Sequence, residues 1–74
     1  MSKRKEIIIE CPALIVAREL FMVLRANGIE PSIPMHIEDS YFMVVNPSSS
    51  VDKILISWKD FVKYRICEVN NAKW

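Results

Sequence analysis

The sequence predicts one small two-layer α+β domain with the element order βαββαβ. Three observations predict it: two segments with helical apolar periodicity, a β-branched run ahead of the first, and a pair of strand-like segments between them. At 74 residues the chain is too short for two independent cores, so residues 1–74 are read as a single domain. Hydrophobic residues make up 51% of it and charged residues 26%, which is the balance of a globular protein and not of a disordered one. A chain this small buries only about 60% of the surface that its unfolded state exposes, so self-association would help it.

The elements follow in order. Glu6-Ile7-Ile8-Ile9-Glu10 is short, β-branched and flanked by charge, the pattern of a first, central strand over residues 6–10. Cys11-Pro12 ends it, and proline is tolerated at a first helical position because its missing N–H would be unpaired there. A helix over residues 12–27 follows, with Gly28 placed to turn left-handed beyond it. On a wheel of about 100° per residue, Ala13, Val16, Ala17, Leu20, Phe21, Val23 and Leu24 fill the core arc. Arg18, Glu19 and Arg25 fill the other arc, together with three apolar residues that a core helix does not need there: Leu14, Ile15 and Met22.

Pro31 and Pro34 cannot donate to a ladder, so residues 32–37 are expected to form a short edge strand. Glu38-Asp39-Ser40 reads as a turn, and Tyr41-Phe42-Met43-Val44-Val45 as the second strand of a hairpin. In the serine loop after Pro47, Ser49 with Asp52 has the form of a capping box. Val51, Ile54, Leu55, Trp58, Phe61 and Val62 recur on one helical stripe, which Arg65 would interrupt, so the second helix should stop near Val62. Tyr64 and Ile66 alternate with Lys63 and Arg65 as in a closing edge strand over residues 64–69. The alternative is an unbroken helix over residues 50–69, giving βαββα with three strands. The preferred order suggests the ferredoxin-like sandwich, with both helices on one face of an open sheet.

Ten Lys and Arg against nine Asp and Glu leave a net charge of +1 without the basic stripe that nucleic-acid binders use, so nucleic acid is not the expected partner. The longest apolar stretch, around the first helix, is broken by Arg18 and Glu19 and is too short for a membrane span. Two cysteines make no disulfide framework, and Met-Ser-Lys-Arg-Lys does not open a secretory leader, so the expected compartment is the cytoplasm. Cys11, at a strand-to-helix junction, is the one candidate for chemistry: a helix N-terminus can lower a thiol's pKa and make it a nucleophile or sulfur carrier. The plain alternative is a small buried hydrophobe. His36 stands at no recognisable metal spacing, and neither a catalytic triad nor a glycine-rich phosphate loop can be assembled, so no enzyme, metal or cofactor is expected.

The stretch Ile9-Glu10-Cys11-Pro12-Ala13-Leu14 followed by an apolar helix resembles the Cys-Pro-x-Pro opening of the TusA-like sulfur carriers, with Leu14 at the second proline. The order of elements through Gly28-Ile29, Ile33-Pro34 and residues 42–45 is also similar to that of small sulfur or selenium carriers, with Ser40-Tyr41 near their cysteine-glycine pair. The resemblance implies a persulfide on Cys11.

The residues themselves favour a different function: a non-enzymatic docking or regulatory module, whose size would suit a phage or mobile-element inhibitor or subunit, partnered by another protein or by a second copy. Its candidate surface comprises Leu14, Ile15, Arg18, Met22 and Arg25 on the first helix. The uncovered sheet face is the second part, carrying Ile8 with Tyr41 and Met43, or Ile8 with Phe42 and Val44. RNA binding on that face is the weakest alternative. The apolar trio could instead pack on the chain's own termini, and Trp58 and Trp74 could take part.

Overall fold

A computed structural model describes residues 3–70, with side chains over residues 5–67. The chain folds as β1 (Lys3–Cys11), α1 (Leu14–Ala26), β2 (Met35–Ile37), β3 (Ser40–Val45), α2 (Ser49–Ser57) and β4 (Lys63–Asn70). The four strands make one antiparallel sheet in the order β2-β3-β1-β4, so the isoleucine strand is central, as its composition predicts. A fourth strand after α2 excludes the unbroken C-terminal helix.

Register fixes the two faces of the sheet. Ile9 lies opposite Met43 and Ile7 opposite Val45, and together with Cys11 they are buried against Ala17, Leu20 and Leu24 of α1 and Val51 and Leu55 of α2. Both helices therefore share one core with one side of the sheet. Each fully buried valine, leucine, isoleucine or methionine here contributes about 1.5–3 kcal/mol, which is what holds the two layers together. No helix among the described residues is long and apolar enough to cross a membrane.

Several boundaries differ from the sequence reading. Ala13, not Cys11, is the residue before α1: its backbone is extended, and its carbonyl accepts the Ala17 N–H at 3.1 Å. Pro12 thus lies outside the helix. At the other end Gly28 has φ +80°, and the Ile29 N–H reaches back to the Leu24 carbonyl at 3.0 Å, closing α1 as expected. The first edge strand shrinks to Met35–Ile37. Ser32 already runs beside β3, donating its N–H to the Val44 carbonyl and accepting the Val44 N–H on Oγ, both at 2.9 Å, but Pro34 has no N–H to carry the ladder between.

The hairpin loop is Glu38-Asp39 alone, since Ser40 already pairs with Ile37, and Glu38 takes the left-handed φ of 56°. The cap of α2 is Ser48, whose Oγ accepts the Val51 N–H at 3.2 Å, one residue earlier than the sequence pattern placed it. The helix stops at Ser57 and not near Val62, because Trp58 to Val62 turns: the Phe61 and Val62 N–H groups both bond to the Trp58 carbonyl. That turn buries Val62 and leaves Phe61 exposed, edge-on to Trp58 at 5.9 Å. Trp58 packs against the core, whereas Trp74 lies outside the described residues.

Candidate protein-docking surfaces

The core arc of α1 leaves its opposite arc in solvent. Leu14, Ile15 and Met22 are 46%, 66% and 65% exposed there, and with Arg18 and Glu19 they line one shallow depression. Arg25 lies on the same side near the helix end, its guanidinium 5.7 Å from the centre of the Phe21 ring. No carboxylate of the described residues pairs with Arg18. The five helix residues singled out from sequence thus form one apolar strip with arginines set into it.

The open side of the sheet carries the second surface, and here the sequence expectation divides. Ile8 is on it, half-buried, but Tyr41 and Met43 are not. Met43 is fully buried under the helices, and Tyr41 packs against the core and stacks on His36 at 4.5 Å. The physical reason is pairing parity: residues opposite each other in an antiparallel ladder share a face, and Met43 is opposite the buried Ile9. Phe42 and Val44 take the open positions instead. Two rows cross the sheet there, Val44-Ile8-Arg65 and Met35-Phe42-Glu10-Lys63. Ser40 Oγ donates to Glu10 Oε2 at 2.8 Å. The charged members of these rows are one carboxylate, Glu10, and two cations on the β4 side, Lys63 and Arg65.

Sequence reasoning missed Met35 and Ile37, 53% and 49% exposed, on the edge strand. Their period-two spacing with Ile33 was the available signal. It also missed Tyr64 and Ile66, which share the helix side of the sheet with Ile9 and Ile7 yet stay exposed on edge strand β4.

Cys11 is the last residue of β1, has no solvent exposure and belongs to the core. Burial, with the neighbouring Glu10 carboxylate adding to it, pushes its thiol from the ordinary 9.0 up to about 11. This is the reverse of the lowered, accessible thiolate that a helix-terminal nucleophile needs, and α1 begins only at Leu14. Cys67 is half-buried, and both cysteines are free. No cluster of three metal-ligating side chains occurs among the described residues. Comparison with protein-family models, with curated proteins and with solved structures finds no match to this chain.

Proposed function

We propose that this chain is a non-catalytic protein-docking domain on a ferredoxin-like frame, a small regulator or subunit that acts by covering another protein surface. The strand order β2-β3-β1-β4 with two helices over one face supports the frame. The exposed strip Leu14, Ile15 and Met22 on the outer side of α1 carries the functional reading. Full burial of such a side chain contributes about 1.5–3 kcal/mol, and the strip withholds three of them from the chain's own core. Arginines set among apolar side chains are also the composition of interface centres.

Replacing Met22 by a photo-crosslinking amino acid in the native cell tests the reading. A discrete protein adduct is expected at Met22, and none with the same amino acid at exposed Lys53 of α2. Equal or absent cross-linking at both positions would remove the docking reading.

A further inference from the structure

Resting on that docking reading, we infer that the outer face of α1 pairs with the same face of a second copy, the two helices running parallel about a two-fold axis. At about 100° per residue, Ile15 and Met22 project within about 20° of each other, so they form one seam. Arg18 then projects about 50° to one side of that seam and Glu19 about 50° to the other. Both are exposed.

This placement of charge selects both the occupant and its direction. Two helices related by a two-fold axis along their length bring each flank against the opposite flank of the partner, as in parallel coiled coils. Arg18 of each copy then faces Glu19 of the other, and the pair forms twice. The seam stacks Ile15 on Ile15 and Met22 on Met22, one layer on each side of the charged pairs. Antiparallel pairing does the opposite: it brings like flanks together, setting Arg18 against Arg18 and Glu19 against Glu19. The surface is therefore complementary to itself in one direction only.

Thirteen residues make a helix about 20 Å long, which limits the contact to less than the roughly 800 Å² per partner of a standard interface. The dimer is accordingly a weak one whose population follows concentration. The methionine and isoleucine layers supply the apolar contact, and the two ion pairs set the register and direction.

Sedimentation of the purified full chain over a concentration series tests the pairing. The wild type should approach twice the 8.6 kDa of one chain as concentration rises. Arg18→Glu and Glu19→Arg each replace two attractive contacts by two repulsive ones and should weaken association about tenfold or more. The double variant Arg18→Glu/Glu19→Arg restores both pairs and should recover it. Far-ultraviolet circular dichroism checks that the exposed substitutions leave the fold intact. For direction, Met22→Cys in a Cys67→Ser background should form a disulfide with itself on mild oxidation, because position 22 meets its own copy only in the parallel arrangement.

A one-chain mass at every concentration, single reversals without effect, or a double variant as weak as the singles would each overturn the pairing. A Met22→Cys chain that cross-links only to an Ile15→Cys chain would overturn the parallel direction. If the purified chain is monomeric while Met22 still cross-links to a different protein in the cell, the two-fold pairing falls and the docking reading stands. If neither occurs, both fall.

Discussion

Raising the pH from 8 to 11 should destabilise the wild-type protein more than the Cys11→Ala variant, and the size of the difference follows from where the thiol lies. Folding moves the Cys11 thiol from the ordinary 9.0 up to about 11 because the sulfur is buried, so the neutral form is favoured in the folded state. Below pH 9 both folded and unfolded chains hold the proton, and stability is independent of pH through this group. Between 9 and 11 the unfolded chain has lost it while the folded chain keeps it, so stability falls as pH rises. Each pH unit in that window costs about 1.4 kcal/mol, so the full loss is on the order of 3 kcal/mol. A 74-residue domain has roughly 4–11 kcal/mol in total, which makes this a large fraction. Urea unfolding midpoints at pH 8, 9, 10 and 11 for both chains give the measurement. Other groups that titrate in this range are common to both chains, so the difference isolates Cys11. The gap should narrow by about 2 kcal/mol from pH 8 to 11, where the folded thiol is itself half ionised. Parallel pH profiles, or alkylation of Cys11 in the folded protein at neutral pH as fast as that of Cys67, would refute the buried neutral thiol.

Two local devices can be tested the same way. Glu38 takes a left-handed backbone in the two-residue β2-β3 loop, where a side chain is strained and glycine is not, so Glu38→Gly should raise stability by about 0.5–1 kcal/mol in thermal unfolding, against the usual direction of a mutation to glycine. A loss of stability would show that the turn does not adopt this conformation. Ser48→Ala removes the hydroxyl that caps α2 and should cost about 1 kcal/mol, while Ser49→Ala should cost much less; equal losses would contradict the observed cap.

Most of the layer plan was legible because its signal is local. The period of α1 alone separates Ala17, Leu20 and Leu24 from Leu14, Ile15 and Met22, and the structure buries the first set and exposes the second. Gly28 likewise announces its own turn. The faces of β3 carried no such signal, since Tyr41, Met43 and Val45 are as apolar as Phe42 and Val44, and alternation says only that the two sets part. Which set is buried depends on β1, where Glu6, Ile8 and Glu10 share one face and Ile7, Ile9 and Cys11 the other. The pairing of Ile9 with Met43 transmits that choice across the sheet.

The same distinction runs through the candidate site. Residue order alone determined that this chain has two amphipathic helices around a β-branched strand and a spare apolar strip on the first of them, because hydrophobic periodicity acts between neighbours a few residues apart. Only the tertiary structure decided that Cys11 is enclosed and that Phe42 and not Met43 faces outward. Those outcomes hang on register and packing between segments thirty or more residues apart, and nothing in the spacing of residues along the chain encodes which of two equally apolar faces will meet the helices.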